Sequence, residues 1–188
     1  SKPNFSRPHT INFDKSNMST IYVSNWTSRA LPMVGAALNL LGAGKTRGKV
    51  AVEAAATSGL AGARMVGADG ATWTQPKSIL LRLVDLAGGG YTNTLLGADP
   101  LERAQVSQWL EYVERHCGSV AGVEKVSPAL DIHFKASTYV ALDRLSLADL
   151  LMYHAVYPVV AVAPADKMRK MLPCLCRWFD LVQHDELF

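Results

Sequence analysis

The sequence predicts two packed units, a small α/β unit followed by an all-α one, and three observations carry that prediction. Between residues 20 and 90, β-branched runs alternate with segments of helical periodicity. Three consecutive glycines, Gly88-Gly89-Gly90, then break the pattern. Beyond residue 100 every periodic segment is helical, and one of them, Leu147–Val160, is apolar on nearly every face. A helix apolar all round is a buried helix, so this one belongs at the centre of the second unit.

The totals agree with a folded chain. With 188 residues, 49% hydrophobic and 19% charged, there is ample apolar material for a core, which excludes a disordered chain. No apolar run reaches the roughly 18 residues of a membrane span. No basic stretch followed by an apolar run opens the sequence, so no secretory signal is expected. Cys117, Cys174 and Cys176 are odd in number and lack metal-ligand spacing, so a reducing, cytoplasmic setting without metal or cofactor is expected.

In chain order, residues 1–19 are polar and mixed and are expected to be a flexible leader or tag remnant, with Met18 a candidate natural start. Residues 20–23 form a first strand. Residues 28–41 form a helix, with Leu31, Val34, Leu38 and Leu41 on one side and Gly42 and Gly44 as its stop. Residues 49–56 and 63–66 are further strands, and Asp69-Gly70 before Trp73 marks a hairpin turn. A helix over residues 74–87 takes Thr74 as N-cap and Pro76 in its first turn, with Ile79, Leu80, Leu83 and Leu86 inward. Residues 20–90 thus make the first unit, 91–99 a linker and 100–188 the helical unit. In the latter, Asp99 caps a helix opening at Pro100, with Val106, Trp109, Leu110 and Val113 facing the core. Residues 126–135 form a further helix with Pro128 in its first turn. Ser146 and Asp149 then form a reciprocal cap on the central helix. A last helix follows Pro173, with Leu175, Trp178, Phe179 and Val182 at core spacing, and ends near His184.

The Leu145-Ser146-Leu147-Ala148-Asp149 start, the Arg177-Trp178-Phe179 to Gln183 helix and the Gln105 to Leu110 pattern resemble the C-terminal domain of glutathione S-transferase (GST)-like proteins. The similarity is greatest to the GST-like domains of aminoacyl-tRNA synthetase complexes and of translation elongation factor one. Within that group, tRNA-binding cofactors of the complex, of the apicomplexan tRNA import type, fit best. The resemblance implies a degenerate thioredoxin-like first unit and a helical second one. It also implies a non-catalytic role: assembling synthetases or other GST-like domains into homodimers or heterodimers, with tRNA bound through a separate domain.

Two surfaces follow from it. One lies on the helix carrying Gln75, Ser78 and Arg82. The other is the Arg-Trp helix, where Arg177 matches the arginine of a two-fold or pseudo-two-fold joint, with Asp180, Asp166, Arg169 and Lys170 nearby. An exposed ion pair between Arg177 and Asp180, three apart, is the plainer reading of the same residues.

Working transferases in this family place a Tyr, Ser or Cys after the first strand to lower the thiol pKa of glutathione, and Tyr22, Ser24 and Ser28 are near that position. Gln75 and Ser78 faintly echo the γ-glutamyl contacts. The family's cis-proline is missing, because no proline lies between Pro32 and Pro76. A transferase with an atypical thiol site and an elongation-factor exchange subunit are the alternatives.

Charge is unevenly spread. Residues 1–90 carry 10 Lys and Arg against 4 Asp and Glu, whereas residues 91–188 carry 9 against 12. Lys45, Arg47 and Lys49 form either a solvated loop or one edge of an RNA-facing surface, without interleaved aromatics for base stacking. Gly42 to Thr46 mimics the end of a P-loop, but Asn39 stands where its first glycine belongs. Asn25-Trp26-Thr27 is a glycosylation pattern without meaning in the cytoplasm, and the His184 to Leu187 retention signal is followed by Phe188.

Overall fold

The structure, a computed structural model, describes residues 19–23, 50–54, 63–67, 69–87, 90–161 and 165–185. Among the described residues, four strands form one mixed sheet: β1 (Ser19–Val23), β2 (Val50–Ala54), β3 (Ala63–Val66) and β4 (Thr72–Trp73), in the order β2-β1-β3-β4. β1 pairs in parallel with β2, Ile21 opposite Val52, and antiparallel with β3, Ile21 opposite Met65. β3 and β4 form the hairpin expected at Asp69-Gly70, with Met65 opposite Trp73. Its turn closes through the Ala71 N–H donating to Asp69 Oδ1 at 3.0 Å, and Gly70 takes φ +81°, where a side chain would be strained.

Helix α1 (Pro76–Ala87) lies against this sheet, with Ile79, Leu80, Leu83 and Val84 fully buried beside Met65. Its cap differs from expectation. The Ile79 N–H donates to the carbonyl of Gln75, so Gln75 and not Thr74 occupies the N-cap position, with Pro76 at N1. Lacking a capping hydroxyl there, the helix takes its acceptor from elsewhere: the Lys77 N–H donates to Glu114 Oε1 at 2.9 Å.

The segment 91–99, expected as a plain linker, contains a π-helical turn, Thr92–Leu96, whose Leu95 is buried in the core. The helical unit follows: α2 (Pro100–His116), α3 (Val120–Ala136), α4 (Leu147–Val160), α5 (Ala165–Met171) and α6 (Pro173–Val182). Asp99 caps α2 as expected, its carboxylate accepting from the N–H groups of Leu101 and Glu102. α3 begins at Val120, six residues before the predicted start, capped by Ser119 through the Gly122 N–H. Pro128 therefore sits inside the helix and not in its first turn. The early turn is masked in sequence by Gly122, a poor helix former. That glycine is required by packing, since a Cβ there would overlap the His116 carbonyl oxygen at the end of α2.

α4 runs through the centre, with Leu147 to Tyr153, Ala155 and Val156 all buried. α2, α3 and α6 pack around it. Among the described residues, no helix is long and apolar enough to cross a membrane.

Candidate association surface

The surface carrying α6 is positioned from beneath by one buried carboxylate. Asp149 is wholly buried and accepts four hydrogen bonds. Its Oδ2 takes the Ser146 N–H at 3.0 Å and the Ser146 hydroxyl at 2.7 Å. Its Oδ1 takes the Val140 N–H at 2.8 Å and the Trp178 indole Nε1–H at 3.0 Å. The capping box predicted for α4 is present, and it also holds the loop before α4 and the core ring of α6. Burial pushes the Asp149 carboxyl above its ordinary range, while the indole, backbone and hydroxyl donors pull it back down. Three of the four donors can only donate, which suits the ionised form.

Trp178 lies flat on Phe134 of α3, with centroids 4.6 Å apart and planes 14° apart, and Phe179 lies flat on Tyr153 at 4.4 Å. With Leu175 and Val182 also buried, α6 presents Pro173, Arg177 and Leu181 outward.

Arg177 does not pair with Asp180. Its guanidinium donates to the Phe134 carbonyl in the last turn of α3, where a cation also complements the helix dipole. Asp180 pairs instead with Arg169 of α5 at 2.7 Å, and accepts from Gln183 Nε2 at 3.3 Å. The i,i+3 spacing placed Arg177 and Asp180 within reach of each other, but both found better-placed partners on neighbouring helices. Lys170 is exposed. The side chain of Asp166 lies outside the described residues.

A reciprocal contact joins the same two helices. Asp131 Oδ1 on α3 accepts the N–H groups of Cys174 at 2.8 Å and Leu175 at 2.9 Å, capping α6, whose own N-cap residue, Leu172, has no acceptor side chain. Sequence reading missed Asp131. The signal available was negative: a helix opening at Pro173 without Ser, Thr, Asp or Asn before it requires a cap from another element.

On the first unit, Gln75 is exposed and Ser78 half-buried, and the Arg82 guanidinium stands over the Trp73 ring, 5.6 Å from its centroid. This is within cation–π range and fixes the Arg82 head at the β4 edge of the sheet. Gln75, Ser78 and Arg82 thus lie at the start of α1 and along it, while Arg169 and Lys170 lie on α5 and Arg177 and Asp180 on α6, joined by the Arg169–Asp180 pair. Lys45, Arg47, Lys49, Ser24 and Ser28 lie outside the described residues, as does the 28–41 helix. Tyr22 lies in β1 opposite Glu53 and Arg64.

Two further contacts missing from the sequence reading join the parts of the chain. Lys77 Nζ donates to Ser107 Oγ at 2.6 Å and pairs with Glu111 at 2.9 Å, linking α1 to α2. Arg144 grips Glu102 with both nitrogens, at 2.7 and 3.1 Å. That grip, helped by the Ala98 N–H, holds the Glu102 carboxyl down at about 2. Among the described residues no group of His, Cys, Asp and Glu could hold a metal ion. Cys117 is buried, and burial pushes its thiol up to about 11, so it stays protonated and unreactive.

Residues 102–186 match the family model described as Nuclear-export cofactor Arc1p, Arc1p N-like. The tRNA-aminoacylation cofactor arc1 of Schizosaccharomyces pombe is 33% identical over 93 residues, 49% of this chain and 20% of that protein. Eukaryotic translation elongation factor 1 epsilon-1 of Mus musculus is 30% identical over 94 residues, 48% of this chain and 53% of that one. The chain therefore spans about a fifth of the first relative and about half of the second. Among solved structures, the GST-like domain of elongation factor 1-gamma from Saccharomyces cerevisiae matches with TM-score 0.69 and 22% identity, over 91% of each chain. A class Gtt2 glutathione S-transferase of Vibrio parahaemolyticus matches with TM-score 0.67 and 22% identity, over 90% of this chain and 94% of that one. The fold is GST-like, and the helical half is similar to that of a tRNA-aminoacylation cofactor, as its motifs predicted.

Proposed function

We propose that this chain is a non-catalytic GST-like association domain that assembles aminoacyl-tRNA synthetases, as part of a cytoplasmic, tRNA-binding cofactor protein. The match of residues 102–186, the half that carries α6, is the observation that supports this reading. The α6 face fits the role. Its core side is anchored by Trp178, so Arg177, Leu181 and Pro173 are held in a fixed outward array that a partner can dock on without ordering cost. Arg177 spends one donor on the Phe134 carbonyl and keeps the rest of its planar fork for a facing partner across a two-fold or pseudo-two-fold joint. The Gln75, Ser78 and Arg82 surface is the second docking face.

Sedimentation of Arg177→Ala and Arg177→Lys beside the unaltered chain, alone and with a synthetase bearing a GST-like domain, tests the reading. Lysine can still reach the Phe134 carbonyl but cannot supply the fork. Association weakened about tenfold or more by both changes, with circular dichroism retained, supports the joint. Unchanged association by the alanine variant refutes it at this face.

A further inference from the structure

The exposed surface around Arg177 does not stop at α6. The guanidinium donates to the Phe134 carbonyl, so its head lies at the peptide that joins Phe134 to Lys135 in the last turn of α3. Lys135 is exposed, and among the described residues no hydrogen bond or ion pair engages it. Ile132 stands three residues before Lys135 and is therefore its neighbour on the helix surface. It is 72% exposed, more than any other large hydrophobic side chain among the described residues. On α6, four residues after Arg177, Leu181 is 43% exposed. Two cations are thus flanked by two large apolar side chains, on two helices that Asp131 and Arg177 fasten together. Single exposed apolar side chains are ordinary on a surface, but a pair framing an arginine has the composition of an association patch.

The charge of this patch selects its occupant. Asp131, four residues before Lys135, is half-buried and accepts the Cys174 and Leu175 N–H groups, so it answers the positive end of α6. Asp180 is paired with Arg169. The negative end of α3 offsets about half a charge, which leaves the patch with an excess of roughly one positive charge. A two-fold joint centred on Arg177 would set that excess against its own copy, and like charges face to face disfavour such a pairing.

We infer that α3 completes the Arg177 docking face, with Ile132 as its apolar anchor and Lys135 as its second cation. The occupant is a GST-like domain of another protein, presenting carboxylates to Arg177 and Lys135 and apolar surface to Ile132 and Leu181. This rests on the reading of α6 as a docking face and deepens it: the partner surface is acidic, and the joint is one between unlike chains.

The test uses the full chain and, as probes, the purified GST-like domains of those synthetases of the same organism that carry one, each titrated singly in sedimentation runs. At least one is expected to bind, and to bind about tenfold or more weaker to Arg177→Ala, Lys135→Glu and Ile132→Ser. Lys135→Gln, which removes the charge without reversing it, should fall between Lys135→Glu and the unaltered chain. Arg115→Glu makes the same charge change at the end of α2, beside the opposite end of α3, and should bind as the unaltered chain does. Added salt should weaken binding of the unaltered chain more than that of Lys135→Gln. Circular dichroism should be unchanged throughout, because each altered side chain is exposed. Weakening by Arg177→Ala with indifference to both Ile132→Ser and Lys135→Glu overturns the inference and leaves the α6 face standing. Binding of no domain overturns both. Self-association of the chain that Arg177→Ala abolishes overturns the inference alone, since the occupant is then a second copy.

Discussion

The Trp178 indole N–H donates to Asp149 Oδ1 at 3.0 Å, tying the core ring of α6 to the first turn of α4 across 29 residues of sequence. Both side chains are wholly buried. One carboxylate therefore serves as helix cap, loop anchor and acceptor for a tryptophan.

Asp149→Ala should cost more than loss of a cap. It strands the Trp178 and Val140 donors in the core, each worth about 1–3 kcal/mol when left unsatisfied, on top of the roughly 0.5–2 kcal/mol of the cap. Ser146→Ala removes only the hydroxyl and should stay within the smaller range. Urea unfolding of the two variants measures the difference, and equal midpoints would show that the tryptophan bond adds nothing.

Asp131→Ala should destabilise by about 1 kcal/mol, because two N–H groups at the start of α6 lose their acceptor. Hydrogen exchange at Cys174 and Leu175 should rise while the start of α4 stays protected. Uniform loss of protection would mean that the whole bundle opens as one unit.

Acid should act on the Arg144–Glu102 grip in a defined window. The folded Glu102 carboxyl sits at about 2 and its ordinary value is 4.5. Its contribution is complete above about 4.5 and is lost as pH falls toward 2, where the folded state must also take up the proton. Glu102→Gln should flatten the stability profile across that window. A profile identical to that of the unaltered chain argues against the grip.

His154 predicts a second, higher window. Burial holds its imidazole down at about 4, against 6.5 in an open chain. Between those values the unfolded chain binds a proton that the folded one does not, so stability should fall as pH drops from about 6.5 to about 4. His154→Gln should remove this slope, as followed by thermal melts at half-unit pH steps.

Transferase chemistry should be absent. No proline lies between Pro32 and Pro76 to expose main chain for glutathione. The chain should pass unretained through immobilised glutathione and leave a standard electrophile reacting at its uncatalysed rate. Turnover abolished by changing Tyr22, Ser24 or Ser28 would restore the enzyme reading.

The sequence by itself determined what is built from contacts within about four residues. Asp99 with Pro100, Ser146 with Asp149, and the Asp69-Gly70 turn were all legible, because a cap or a tight turn is set by fixed backbone spacing that residue type alone reveals. The all-apolar central helix was legible for a similar reason, since burial on every face leaves no polar stripe. Only the tertiary structure decided the partners that lie far apart in the chain. Glu114 caps α1 from 37 residues away, Asp131 caps α6 from 43, and Arg177 turns from its neighbour Asp180 to the end of α3. Glu114 and Asp131 are ordinary polar residues in their own helices, and the third acceptor is the main-chain carbonyl of Phe134. Each role exists only because helix packing brings a side chain of one helix opposite an unsatisfied backbone group at the end of another, and that geometry leaves no trace in local spacing.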